Sequence, residues 1–550
     1  MRRALSALWL GALLLGAAAA ATERPKTAIA PAGVPEAAEL ERRGATIGRV
    51  DVYVQNVFDL ADAREDRVLY RAADQLHYRT REGKVRSQLL FAPGQPVSQQ
   101  RFDETERILR SRRYLSEAWV VPVAYDEAHN TVDVAVTVRD VWTLNPSVSF
   151  GRAGGRNHSS VSLEEENLLG TGAKVAVARS HDVDRSSTLF TYFDNNLVGS
   201  WWQLGLNYAD NSDGRVMALA LDRPFYALDT KSAYGFEPSD GTSRVSRYSQ
   251  GVVTDQFDEH HSLHQAYYGW SSGLVDGWTQ RWYTGVRYDR AIFTPLPGVV
   301  ATEPLPADRT LSYPWAGWQV IENRYEKTEN LDLIGRTEDL YVGRSLYAEL
   351  GVSDDAFGGR GRSLLSQLTA LDAWQFGASR ELFLSAAFAG RLDEGTAHNV
   401  SLTSQARYFD RLTPHQLFYL SLTGTVTHRL DGDQQLLLGG DTGLRGYPLR
   451  FQGGTSSALL TVEHRLFTDW FPFRLVRFGA AAFFDAGRTW GRDYTGAEPL
   501  GLLKDVGLGI RVGNVRSGLG NVVHVDLSYA LDAPPGIKRV QVTVQTLDKF

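Results

Sequence analysis

Apolar and polar positions follow two periods along this chain, one of a helix and one of a half-buried strand. Residues 47–54 (Ile-Gly-Arg-Val-Asp-Val-Tyr-Val) alternate as a strand. Arg64 to Tyr78 has helical spacing, with Val68, Leu69, Ala72, Ala73 and Leu76 on one side. Ser98 can cap a second helix, because Asp103 and Glu104 fall in its first turns and Phe102, Ile108 and Leu109 form a stripe. Strands are predicted over 118–125 and 131–139, joined by the turn Glu127-Ala128-His129-Asn130. A compact α/β unit therefore occupies 46–141, behind a leader at 22–45 rich in Pro, Ala and charge and expected to be flexible.

From Pro146 onward only the period of two recurs, in short segments with turns and aromatic ends. Residues 173–179 (Ala-Lys-Val-Ala-Val-Ala-Arg), 201–208 (Trp-Trp-Gln-Leu-Gly-Leu-Asn-Tyr) and 382–388 (Leu-Phe-Leu-Ser-Ala-Ala-Phe) are examples. Repeated alternation of this kind is the weak per-segment signature of a transmembrane antiparallel β-barrel. The stretch 146–550, at about 25 residues per strand with its share of loops, predicts about 16 strands.

Composition supports this reading over a set of soluble domains. Of 550 residues, 52 are Gly, 13 Trp and 23 Tyr, while only 43% are hydrophobic, and beyond the N-terminus no stretch could span a bilayer as a helix. Residues 1–21 set Arg2 and Arg3 before an apolar run from Ala4 to Leu15 and then an alanine run, the pattern of a secretory signal peptide. With 0 Cys, the chain is expected to be exported without disulfides, thiol chemistry or a lipid anchor. A net charge of −6 argues against a nucleic-acid binder.

Three charges fall where a barrel lumen would be. Arg445 is framed by Gly439, Gly440, Gly443, Gly446, Gly453 and Gly454, which suits a loop folded tightly back inward. In 459–466, Leu460, Val462 and Leu466 share the face assigned to lipid, so Thr461, Glu463 and Arg465 point inward. In 478–487, Phe478, Ala480, Ala482, Phe484 and Ala486 face out, so Gly479, Ala481 and Asp485 face in, leaving room for a docked loop. A guanidinium fork fits a carboxylate in two-point geometry, so Arg445 can pin that loop to Glu463 and Asp485. On these residues alone, three independent lumen charges remain an alternative. The final strand sets Val540, Val542 and Val544 on one face with the terminal Phe550, with Gln541, Thr543 and Gln545 opposite, which also fits a plain amphipathic edge strand.

Leu444-Arg445-Gly446-Tyr447 followed by Phe483-Phe484-Asp485-Ala486-Gly487 resembles the barrel of the BamA/TamA outer-membrane assembly superfamily. The turn 167–172 (Asn-Leu-Leu-Gly-Thr-Gly) and the segment 221–228 are similar to family segments as well. The unit 46–141 resembles a periplasmic POTRA domain in its element order, in 89–98 (Leu-Leu-Phe-Ala-Pro-Gly-Gln-Pro-Val-Ser) and in 132–138, although these patterns also suit an unrelated small α/β domain. The resemblance implies a bacterial outer-membrane barrel with one POTRA domain in the periplasm. It implies that Arg445, Gly446 and Tyr447 form an inward loop held by Glu463 and Asp485, and that the C-terminal strand ending at Phe550 is a targeting signal. The implied function is insertion or assembly of other polypeptides. A two-partner-type secretion transporter and a passive pore or structural surface barrel are the alternatives. Expected partners are the lipid bilayer and unfolded client polypeptides, with room for periplasmic chaperones or accessory lipoproteins. No nucleophile elbow, phosphate loop or paired-acid hydrolase pattern occurs, so no enzyme activity and no cofactor are expected. Asp258-Glu259-His260-His261-Ser262-Leu263-His264 contains metal-ligand types, but the expectation there is an exposed polar loop and no metal.

Overall fold

The structure is a computed structural model that describes residues 31–298, 303–517 and 522–547. Residues 1–21, expected to be a signal peptide, and Phe550 lie outside the described residues.

The N-terminal unit is a three-stranded sheet of β1 (Thr46–Gln55), β2 (Leu115–Asp126) and β3 (Thr131–Asp140), in spatial order β1-β3-β2. β1 runs parallel to β3 and β2 antiparallel to it. The central β3 is a run of valines because both of its neighbours need it: Val132, Val134, Val136 and Val138 are all fully buried. Around the sheet lie α1 (Ala37–Arg42), α2 (Val68–Leu76), α3 (Glu82–Arg86) and α4 (Gln99–Arg110). Ala37 and Leu40 pack into the core, so the folded unit begins upstream of the boundary drawn at 46. Ser98 stands at the N-cap of α4 without a side-chain hydrogen bond; the Glu41 carboxylate accepts from the Gln99 N–H instead, at 3.0 Å. A carboxylate from α1 thereby does the capping and ties α1 to α4.

From Leu144 the chain forms a closed antiparallel barrel of 20 strands rather than about 16. The excess arises early: Leu144 to Arg223 holds six strands of 9 or 10 residues joined by turns as short as Gly154-Gly155. An average loop allowance overcounts residues there. Side chains alternate across the wall, apolar outward and polar inward. In Leu503–Asn514, Val506, Leu508 and Ile510 are exposed outward while Asp505 and Arg511 are fully buried within; in Val522–Ala530, Val525, Leu527 and Tyr529 face out while His524, Asp526 and Ser528 are buried. No helix among the described residues is long and apolar enough to cross a membrane.

The histidines at 260, 261 and 264 lie within the strand Val252–Val275, not in a loop. His261 pairs with Asp289 at 3.0 Å and His264 stacks on Tyr288, and no metal-ligand cluster of three occurs among the described residues.

Among the described residues the barrel closes between its first strand, Leu144–Ala153, and its last, Val540–Leu547, through a single ladder pair, Val544 with Arg152. By contrast, Leu144–Ala153 is paired along its whole length to Arg156–Glu165. From Leu144 to Gly151 the seam edge of the first strand has no ladder partner among the described residues.

Candidate functional site

The loop from Leu436 to Gly454 leaves the end of the wall away from the small domain and folds into the lumen. It is closed on itself by the short pair Leu436–Leu438 with Gln452–Gly454. Its glycines are required by close approach. A Cβ at Gly446 would stand 2.6 Å from the Asp505 Cβ, and one at Gly440 2.4 Å from the Tyr447 carbonyl. Gly154, in the first hairpin beside the seam, gives the same room to the loop at Leu449.

Arg445 lies at the base of this loop. Its Nε and Nη2 donate to Asp485 Oδ2 and Oδ1 at 2.7 and 3.0 Å, the two-point geometry of a fork on a carboxylate. Nη1 donates to Glu463 Oε1 at 2.9 Å and to Asp526 Oδ2 at 3.4 Å. The guanidinium lies over the Phe483 ring, 3.4 Å from its centroid. The backbone N–H of Gly446 donates to Asp505 Oδ2 at 3.1 Å, and the buried Tyr447 hydroxyl donates to the Lys504 carbonyl at 2.9 Å. Arg445, Gly446, Tyr447, Glu463 and Asp485 are therefore brought together. Val540 and Val542 face outward on the closing strand while Gln541 and Thr543 are buried.

Sequence reading missed half of this network. Asp526 and Arg511 pair at 2.5 Å in the last wall strands, and Arg465 donates to Glu463 Oε2 at 2.9 Å. The signal was available in the alternation of His524, Asp526 and Ser528 against Val525, Leu527 and Tyr529.

A second inward element was also missed. Between the wall strands Arg309–Glu322 and Ser345–Ser353, on the same side as the small domain, the hairpin Tyr325–Glu329 with Thr337–Tyr341 folds up into the base of the lumen. Its tip buries Leu331 and Ile334 against Phe409, Leu417, Phe467, Ala481 and Val522. Arg465 Nη1 donates to the Leu331 carbonyl at 3.1 Å. On its other side the hairpin holds α4: Arg110 grips Asp339 with two bonds of 2.7 Å, and Lys327 meets Glu106 at 2.6 Å. Burial pushes the Glu338 carboxyl of this hairpin up to about 7, although it accepts the Leu331 and Asp332 N–H groups. Contacts thus run without a gap from α4 through the hairpin and Arg465–Glu463 to Arg445.

No protein-family model matches the chain, and no curated protein does. Among solved structures it is similar to BamA from Haemophilus ducreyi lacking POTRA domains 1-3, at 10% identity and a TM-score of 0.39, over 91% of this chain and 85% of that one. It is also similar to CdiB from Escherichia coli (13% identity, TM-score 0.46, 92% and 77%) and to CdiB from Acinetobacter baumannii (13%, 0.42, 91% and 74%). Likeness this loose assigns neither a function nor a strand number.

Proposed function

We propose that this chain is a non-catalytic outer-membrane barrel that assembles client polypeptides into the membrane, with the 46–141 unit serving as a periplasmic POTRA module. The observation that carries this reading is the seam. Among the described residues one ladder pair closes it, and there the N–H and C=O groups of the first strand from Leu144 to Gly151 form an edge able to pair with an incoming strand. Such an edge adds a client by main-chain bonds, so it accepts many sequences. The filled lumen supports insertion over conduction, because the Arg445 loop and the 325–341 hairpin occupy the path that a secreted chain or a passive solute would take. In the small domain, β3 is central, so a client strand would add to β1 or β2.

The test is photocrosslinking in cells from Val542 on the closing strand and from Tyr53, which is exposed on β1. Unfinished barrel proteins trapped at both positions are the expected result. One dominant secreted chain, trapped from lumen positions instead, would replace this reading with dedicated secretion. A passive barrel traps no client anywhere.

A further inference from the structure

The apolar side of α2 faces away from the protein. Val68, Leu69 and Leu76 are 82%, 68% and 74% exposed, while Tyr70 and Ala73 turn inward and pack with Val57, Phe58, Trp142 and Leu475. A helix that turns three large aliphatic side chains outward along one stripe has a surface made for something other than water.

The position of α2 says what that is. At its N-terminal end the Tyr70 hydroxyl donates to the Phe473 carbonyl at 2.7 Å, and the adjacent Glu65 accepts from Arg474 at 2.9 Å and Arg516 at 2.6 Å. Just past its C-terminal end, the Arg81 N–H donates to the Gly170 carbonyl at 3.0 Å and Arg81 Nε to the Leu169 carbonyl at 3.2 Å. The segment is thus strung along the periplasmic rim between the turns at 471–475 and 167–172. In the order of the wall, the strands between those turns include the last and the first, so α2 lies at the foot of the seam.

The rim turns that α2 touches carry exposed apolar side chains of their own. Leu169 and Phe473 are 52% and 72% exposed, and both are held at positive φ (52° and 53°). Bulky residues pay for that conformation in strain, which is sustained where the side chain must point in a set direction. Charge completes the match. Arg67 and Arg79 flank the stripe at its two ends, both exposed and neither with an ion-pair partner among the described residues. An apolar stripe bounded by free arginines is the composition of a helix lying in a lipid interface with its cations on phosphates.

We propose that α2 lies in the periplasmic leaflet of the membrane at the foot of the seam, with Val68, Leu69 and Leu76 among the acyl chains and Arg67 and Arg79 on anionic headgroups. This rests on the barrel being embedded in a bilayer. The arrangement couples the small domain to the leaflet at the place where the seam would open.

The experiment uses the full chain in vesicles of phosphatidylethanolamine and phosphatidylglycerol, with a nitroxide attached at Val68→Cys or Leu76→Cys. Val542→Cys serves as the lipid-facing control and Tyr53→Cys as the aqueous one. The expected result is that oxygen relaxes the labels at 68 and 76 more than an aqueous nickel chelate does, as it does at 542. An Arg67→Ala/Arg79→Ala pair should reduce that preference at least two-fold, and replacing phosphatidylglycerol by phosphatidylcholine should do the same. If 68 and 76 behave like 53 while 542 reads lipid, the proposal is overturned and the barrel reading survives. If 542 itself reads water, both fall. Labels shielded from both relaxants, on an immobilised helix, would show that α2 meets a protein surface, which overturns the proposal as well.

Discussion

Arg445 holds three carboxylates unequally, and the geometry ranks them. Asp485 receives two short bonds, Glu463 one, and Asp526 one long one. Arg445→Ala leaves buried carboxylates without their cation, a loss of roughly 3–5 kcal/mol in loop docking. The expected outcome is a barrel that still migrates as folded on cold gels, a 436–454 loop newly open to protease, and a loss of client assembly. Arg445→Lys should restore little, because an ammonium offers no fork. Asp526→Asn should be milder than Asp485→Asn in the same assays. Arg445, Glu463 and Asp485 were legible in the sequence because strand alternation assigns faces from local order. Asp526 and Arg511 obey the same rule, but nothing local says that two distant strands present them to one loop.

At the scale of elements, the hairpin and the seam make separate claims. Glu338 has its carboxyl raised from an ordinary 4.5 to about 7, with burial as the main cause and Asp332 adding to it. The neutral form is therefore favoured in the docked state. Docking is firmest below the unfolded value and weakens as pH rises through about 7. Hydrogen exchange in 325–341 should accordingly quicken between pH 5.5 and 8 beyond the intrinsic rate, and Glu338→Gln should remove that excess. For the seam, Arg152→Cys with Val544→Cys places two thiols on paired residues in a chain that has no other cysteine. Oxidation should abolish client assembly and dithiothreitol restore it; an oxidised barrel with full activity would remove lateral opening from the mechanism. The 325–341 hairpin escaped sequence reading because five-residue strands carry too few alternations to stand out from a turn. Helical spacing over 64–78 was legible, but periodicity neither places Ala73, which packs inward with Tyr70, nor says which solvent the apolar side meets.

For the whole molecule, the question is how the small domain stays aligned with the barrel. Glu65 is buried and accepts from Arg474 and Arg516, two residues of different turns on the small-domain side of the barrel. Lys84 donates to Asp194 Oδ1 at 2.9 Å, and Trp142 N–H to the Arg516 carbonyl at 2.8 Å. Glu65→Ala removes the carboxylate that Arg474 and Arg516 share at the joint, with Arg474 still 4.0 Å from Asp62 and Arg516 still donating to the Val57 carbonyl, and costs roughly 1–3 kcal/mol of docking. The domain should then move relative to the rim, seen as a broadened distance distribution between spin labels on β1 and on an extracellular turn, with the barrel unchanged. An undisturbed distribution would show that the contacts of α4 with the hairpin suffice by themselves.

Local order along the chain was enough to establish a small α/β unit ahead of a long antiparallel wall, the inward and outward faces of its strands, and an arginine on a glycine-rich loop facing two acids. Each follows from a period of two or 3.6 residues, or from glycine's freedom, and needs no knowledge of distant partners. Closure needed the fold. The 20 strands, the single-pair seam, the hairpin in the lumen and the outward turn of α2 depend on register and curvature summed around the whole ring. Those are properties of how the two ends of the wall meet, which no segment carries alone.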